Sequence, residues 1–299
     1  MKNLLLASTA LVFSAGFAAA EGHAGVTVGG NGYMGIFDPF DIPDDPDTEA
    51  DESAKTDVEF KSRIRITFDA MGTTDAGLEF GGSVRADNYE DDQATNGLEG
   101  SVYVSGSFGK LSMGDVDGAA LAAVGDLDGV GYTGIGDLNE VAYLSRLFDV
   151  DESLLYSYTA GDISFYASHD QLAEDDQVMG LGLAYDMGDF SVALGIEDAD
   201  AVSDNHIIIG VGASLGDVSL KAIYGDLGDG NQMGVSATFG VGATSVTAFW
   251  EDTEELAGEE AFGIGASYDL GGGATLAGGY VSNETDSTDA FDLGIKFSF

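Results

Sequence analysis

Residues 290–299 read "AFDLGIKFSF". Alternate positions sort into two files: Phe291, Leu293, Ile295, Phe297 and Phe299 on one side, Ala290, Asp292, Gly294, Lys296 and Ser298 on the other. A period of two is that of a β-strand, whose successive side chains point to opposite faces. A strand at the end of a water-soluble sheet usually frays and has no need of an aromatic last residue. An apolar file that runs out to a terminal Phe therefore predicts an apolar medium outside this strand.

The pattern recurs upstream. In "VMGLGLAYDMGDFSVALGIED" (178–198), Met179, Leu181, Leu183 and Tyr185 alternate with small or polar residues, and Phe190, Val192, Leu194 and Ile196 do so again after Met187-Gly188-Asp189. That is a hairpin with a tight turn. From "VTVGGNGYMGIF" (26–37) to the terminus, 16 such segments can be traced, and an even number lets the first and last strands close on one another. Short connections ("MGTTDAG", "SFGK", "TAGD", "MGD", "LGD", "GVGA") alternate with long acidic ones, among them "DPFDIPDDPDTEADESAKTD" and "EDTEELAGE". Short turns at one end and long loops at the other are the signature of an outer-membrane barrel. A soluble sandwich offers similar strands one by one, but not this combination.

Composition agrees. The 299 residues carry 10 Lys+Arg against 53 Asp+Glu, a formal net charge of -43, with 44% hydrophobic residues. Disorder needs high charge with low hydrophobicity, and only the first is present. Nucleic acid is excluded as a partner, because phosphate binding needs a basic surface; cations are favoured instead. With no Cys, disulfides, zinc thiolates and thiol nucleophiles are ruled out, and three scattered histidines (His23, His169, His206) make no metal cluster.

Residues 1–20 read as a cleaved signal peptide: a short basic start, an apolar run, and Ala18-Ala19-Ala20 as the cleavage motif, so that the mature chain begins at Glu21. Beyond residue 20 no apolar run approaches the length of a membrane-spanning helix. A membrane protein with this sequence must cross as a barrel, so residues 21–299 are expected to form a single all-β transmembrane domain of 16 antiparallel strands.

Several stretches carry a resemblance: "SRIRITFDAMGTTDAGLEFGGSVRA", "GSVYVSGSFGKLSMGD", "GVGYTGIGD", "LLYSYTAGDISFYAS", "GASYDLGGGATLAGG" and "DLGIKFSF". The chain is similar to the general diffusion porins of photosynthetic and related Alphaproteobacteria along nearly its whole mature length. The resemblance implies a homotrimer of 16-stranded barrels in the bacterial outer membrane, surrounded by lipid. Each barrel would hold its own water-filled pore for small hydrophilic solutes and ions, with no cofactor required and no enzymatic activity. It further implies that the third external loop folds inward and narrows the channel, opposed by basic wall residues, with divalent cations near the constriction.

The basic residues fit that picture by parity. In "FKSRIRITFDA" (60–70), Ser62, Ile64, Ile66 and Phe68 share one face, leaving Lys61, Arg63, Arg65, Thr67 and Asp69 on the other. The next strand sets Leu78, Phe80 and Val84 outward and Arg85 inward. Charge on the lipid face would cost about 2–4 kcal/mol at mid-depth, so Lys61, Arg63, Arg65 and Arg85 are assigned to the lumen. The long segment from Val116 to Glu152 is expected opposite them, with a short helix over Ala119–Ala123 capped by Asp117. Asp115, Asp117, Asp126, Asp128, Asp137 and Glu140 make it acidic, and acid facing base sets up a transverse field that orders water and polar solutes. Calcium is considered at Asp126, Asp128 and Asp137, where carboxylates are dense but the full oxygen run of a calcium loop is missing. The net expectation is a cation-preferring channel.

Enzyme-like motifs do not survive their context. "GASLG" (212–216) lacks the strand-to-helix turn of a nucleophile elbow, which makes Ser214 a lumenal strand residue. "GVGYTG" (129–134) neither follows a strand nor opens a helix. Two other functions remain as alternatives: a substrate-selective porin, which would line its lumen with aromatics such as Tyr103, Tyr166 and Phe249, and a secreted acidic calcium-binding β-protein, which would need glycine-aspartate nonapeptide repeats that the sequence lacks.

Overall fold

The computed structural model describes residues 24–40, 58–88, 100–147, 153–170, 177–228, 230–253 and 258–299. The leader at 1–20 and most of the first acidic loop lie outside them, as do residues 254–257 of the seventh. Sixteen strands follow one another: β1 (Gly25–Asp38), β2 (Glu59–Thr73), β3 (Glu79–Asp87), β4 (Gly100–Gly106), β5 (Gly109–Gly114), β6 (Ser153–Ala160), β7 (Ile163–Asp170) and β8 (Val178–Asp186) form the first half. The second half comprises β9 (Phe190–Ala199), β10 (His206–Leu215), β11 (Val218–Asp226), β12 (Asn231–Val241), β13 (Thr244–Asp252), β14 (Glu260–Gly271), β15 (Ala274–Asn283) and β16 (Thr288–Ser298). Each pairs antiparallel with its sequence neighbours and β1 pairs with β16, so the sheet is a closed barrel with no free edge.

Closure is what a bilayer demands, because every backbone N–H and C=O must be bonded within the wall. At the seam, Met34 lies opposite Ile295 and Ile36 opposite Leu293. Gly30 and Phe299 exchange both backbone hydrogen bonds, at 2.9 and 3.0 Å. The alternation read from the sequence holds on the wall: Phe60, Ile64 and Phe68 of β2, Phe80 and Val84 of β3, and Phe291, Leu293, Ile295 and Phe299 at the C-terminus are all exposed on the outside. Leu78 precedes β3 and belongs to the turn, its N–H donating to the Thr74 hydroxyl at 3.0 Å.

The buried core is not between sheets. Its members include Ala120, Val124, Leu127, Val130, Ile135, Leu138, Val141 and Tyr143 from the segment between β5 and β6, packed on Ile208, Ile223, Phe249, Ala261 and Val281 of the wall. That segment enters the barrel and holds two short helices, α1 (Ala119–Val124) and α2 (Leu144–Leu147). The N-cap of α1 is Gly118, which makes no side-chain cap bond, rather than the expected Asp117. The work of a cap is done by the wall beneath it instead, where Ala119 N–H donates to Ser168 Oγ of β7 at 2.8 Å.

Candidate functional site: the lumen loop and the facing wall

The loop lies on the inner wall as a two-limbed strap. Going out, α1 packs on β7, β8, β9 and β10. Asp128 donates its N–H to Ser236 Oγ of β12 (3.1 Å), while Tyr132 and Thr133 reach β16. Coming back, Ala142 meets β12, and Leu144 and Ser145 meet β9. The two limbs are bonded to one another, Leu127 N–H to Asn139 O at 3.2 Å and Asn139 Nδ2 to Leu127 O at 2.8 Å. The turn between them is built at Ile135 and Asp137, whose φ angles are 48° and 55°.

The strap can lie this flat because the inward file beneath it is rich in glycine. A methyl added at Gly195 would stand 2.6 Å from Ala120 Cβ, at Gly210 2.8 Å from Val124 Cγ1, at Gly234 2.6 Å from Leu127 Cδ1, and at Gly294 2.8 Å from the Tyr132 ring. Any side chain there would lift the loop toward the barrel axis. Buried polar residues of the wall then fix it. Asp292 accepts Tyr132 N–H, Thr133 N–H and the Thr133 hydroxyl on Oδ2 (2.8, 2.8 and 2.7 Å) and Gly279 N–H on Oδ1 (3.0 Å). Glu197 accepts Leu144 N–H (2.8 Å) and the Ser145 hydroxyl (2.6 Å), and Gln232 makes paired 2.7 Å bonds with the backbone of Ala142. Lys221 of β11 donates to Asp126 O at 2.6 Å. None of Asp292, Glu197, Gln232, Lys221 or His206 stands out in the sequence as a site residue. The signal that marks them is a polar side chain on the inward file of a strand, two residues from an inward glycine or, for Lys221 and His206, four.

Lys61, Arg63 and Arg65 lie on the lumenal face of β2 and Arg85 on that of β3. Arg65 Nε lies 2.7 Å from Asp87 Oδ2. Arg63 stands over the Tyr33 ring at 4.9 Å and Lys61 over Phe37 at 4.5 Å. Arg85 has Arg65 and Arg63 as like-charged neighbours, and Asp115 and Asp87 as opposite ones.

The six acids separate. Asp115, Asp117 and Asp137 are exposed, while Asp126, Asp128 and Glu140 are half-buried. Asp126 forms a two-pronged pair with Arg146 of the same loop (Oδ1 at 3.1 Å, Oδ2 at 2.8 Å), and Glu140 lies 3.2 Å from the same guanidinium. Asp128 accepts the Thr238 hydroxyl at 3.1 Å. Two of the three carboxylates considered for calcium are separately engaged, Asp126 with Arg146 and Asp128 with Thr238, while Asp137 is exposed in the turn, where its backbone carbonyl accepts Glu140 N–H at 2.9 Å. Among the described residues no group of three or more His, Asp or Glu is placed to hold a metal ion, so this donor set does not fit one.

Electrostatics follow this crowding. Burial works against charge on Arg146, but the hydrogen bond and charge of Asp126 and the charge of Glu140 outweigh it and hold the guanidinium above its ordinary pKa. Desolvation inside the narrow lumen, aided by Asp126 and opposed by Arg146, raises the carboxyl pKa values of Asp117 and Glu140. Burial, followed by the charge of Asp292, pushes the Tyr132 phenol up to about 12.

Of the aromatics considered for a solute ladder, Phe249 is buried in the core beneath the loop. Tyr103 lies under Lys110, its ring 4.4 Å from Nζ, and Tyr166 sits on the inward file of β7 beside Ser157. They make no continuous track. Ser214 is on the inward file of β10 opposite Ser219, a wall residue as its context implies.

A closed barrel with an apolar outer face, narrowed from within by a loop pinned along its inner wall, is a transmembrane channel. The chain belongs to the Gram-negative porin family, whose family model matches residues 7–288. It is 37% identical to a porin of Rhodobacter capsulatus over 286 residues, covering 81% of this chain and 94% of that protein, and 28% identical to a porin of Fuscovulum blasticum, covering 81% and 92%. A refined porin structure superposes with a TM-score of 0.76 at 32% identity, covering 92% of this chain and all of the other. A variant of Rh. blastica porin superposes with a TM-score of 0.72 at 21% identity. Family and fold together make this an outer-membrane diffusion channel, and its relatives are channels rather than enzymes.

Proposed function

We propose that the channel passes small hydrophilic solutes and ions with a preference for cations. The observation that carries this is the partnering of three lumenal cations within the wall and the strap. Arg65 is offset by Asp87 and Arg146 by Asp126 and Glu140, while Lys221 is tied beneath the strap. The exposed acids Asp115, Asp117 and Asp137 and the acidic external loops add negative charge at the passage and its mouth. At 0.1 M salt the screening length is about 10 Å, comparable with a pore, so mouth charges still act on permeating ions. Zero-current potentials across a planar bilayer in a salt gradient test the reading. A cation-selective sign that weakens as salt is raised is the expected result, and an anion-selective sign overturns it.

The same reading includes export by cleavage after Ala20 and assembly as a homotrimer, the latter resting on family resemblance. A mass for outer-membrane protein that starts at Glu21 supports the first, and cross-linking to a three-chain limit supports the second. A substrate-selective pore is the weaker reading, because Phe249, one of the three aromatics it would need, lies in the core under the loop.

A further inference from the structure

The strap covers the wall from β7 round to β1, and the wall it leaves bare, on β3 to β6, holds a second lumenal feature at the end of the barrel that carries the short turns. Strand register lines up Glu79, Ser105, Lys110 and Ser157 in one row across four neighbouring strands, all on the inward file. They border a polar recess of about 660 Å³ whose lining also includes Thr159. Ser105 Oγ donates to Glu79 Oε2 at 3.2 Å, which fixes the carboxylate against the wall. The Lys110 ammonium rests 4.4 Å over the Tyr103 ring one row deeper. Among the described residues no ion pair joins Glu79 to Lys110, although only one strand lies between them. Two inter-strand steps of about 4.8 Å place their backbones roughly 10 Å apart.

We infer that this row is a solute subsite for small zwitterions of the α-amino-acid type. An acid and a base held on one row, their backbones two strand spacings apart, present the complement of an ammonium and a carboxylate borne on the same carbon. The solute's ammonium would take Glu79 and its carboxylate Lys110. The Ser105 and Ser157 hydroxyls lie on the same row to replace the water each group sheds. The contact of Lys110 with Tyr103 is a weak exposed one that a carboxylate can displace. A neutral sugar of the same size finds hydroxyl partners here but no charge complement, so the row discriminates between two solute classes that a size filter treats alike.

This inference rests on the channel reading, and the test separates the two. Purified protein in a planar bilayer is recorded in KCl, then with L-alanine and with glycerol as an uncharged comparison, each added to the short-turn side. Conductance steps in KCl alone establish the channel, and their absence is a failure of that reading. With the channel established, L-alanine should add excess current noise at least severalfold above that of glycerol. The excess should fall to the glycerol level in Glu79→Gln and in Lys110→Met and return in the double exchange Glu79→Lys with Lys110→Glu. Both side chains face lumen water and bear no part of the barrel seam, so KCl steps persist in the variants and serve as the folding control. Equal noise from the two solutes in the wild-type channel, or an L-alanine excess that survives both single substitutions, overturns the subsite.

Discussion

Glu197 Oε2 lies 3.1 Å from His206 Nδ1, both side chains being fully buried at one end of β9 and β10. The other ring nitrogen of His206 lies 3.1 Å from Gln232 Nε2, and Gln232 is in turn fixed by the backbone of residue 142, its oxygen accepting Ala142 N–H and its nitrogen donating to Ala142 O. The polarity of one peptide group therefore orients the amide, and the amide leaves His206 Nε2 as acceptor and Nδ1 as donor to Glu197. Wall and loop are locked by a single polarised chain.

Replacing Glu197 by Ala should unpin the returning limb. The Leu144 N–H, the Ser145 hydroxyl and the His206 ring all lose their acceptor in a buried place, each at about 1–3 kcal/mol. The barrel seam is untouched, so the protein should still insert. Single-channel records should show a larger conductance with rapid flicker. Steps as quiet and as small as those of the wild type would mean that Asp292 and the glycine floor hold the loop unaided.

Selectivity should depend on pH earlier than an ordinary carboxylate allows. The folded-state pKa values of Asp117 and Glu140 are raised, so as pH falls these two groups take up protons before free carboxyls do. Each proton removes one negative charge from the strap, and cation preference should begin to decline above the usual carboxylate range. The double variant Asp117→Asn with Glu140→Gln should start from a lower preference and lose that early step. Zero-current potentials titrated against pH provide the measurement, and superimposable curves for the two proteins would count against the assignment.

The seam offers a stability test. A methyl on Gly30 would meet the Phe299 ring at 2.9 Å and Arg65 O at 2.5 Å, where Gly30 and Phe299 exchange backbone bonds. Gly30→Leu and deletion of Phe299 should each lower the temperature at which the barrel unfolds in detergent and reduce the fraction inserted. The deletion should cost more, since it removes both hydrogen bonds and an aromatic ring that stacks on Phe297 at 6.4 Å. Unchanged heat-modifiability would show that the other seam pairs suffice.

The wall was legible in the sequence because its rule is local: one face meets lipid, so Phe291 to Phe299 or Met179 to Ile196 declare themselves by alternation alone. The strap was not, because its contacts span 52 residues from Ser145 to Glu197, 90 from Ala142 to Gln232 and 160 from Tyr132 to Asp292. No period links such pairs. Asp117 was expected as a helix cap because local rules favour a carboxylate just before Ala119. Gly118 takes the place because a distant Ser168 hydroxyl already receives the first free N–H. Arg146 carries no local signal for the same reason, its partner Asp126 lying 20 residues back along a folded loop.

The last prediction concerns Glu251 of β13, which is fully buried with neither carboxylate oxygen hydrogen-bonded. Its ionisable neighbours are Glu259, Asp126, Asp252 and Glu140, all acids. A carboxylate in that position pays for desolvation with no compensating donor and is repelled by the charges around it. Glu251→Met keeps much of the shape and removes the polar group that has no partner, so it should stabilise the loop against the wall by about 1–3 kcal/mol, the usual cost of an unsatisfied buried polar group. The midpoint of unfolding in detergent should rise, and channel noise should fall. Glu251→Ala should not reproduce this, because it opens a cavity beneath Leu127 and Phe249 in the core. A lower midpoint for Met than for the wild type would show that the native carboxyl is compensated, and the reading of Glu251 as an uncompensated strain would fall.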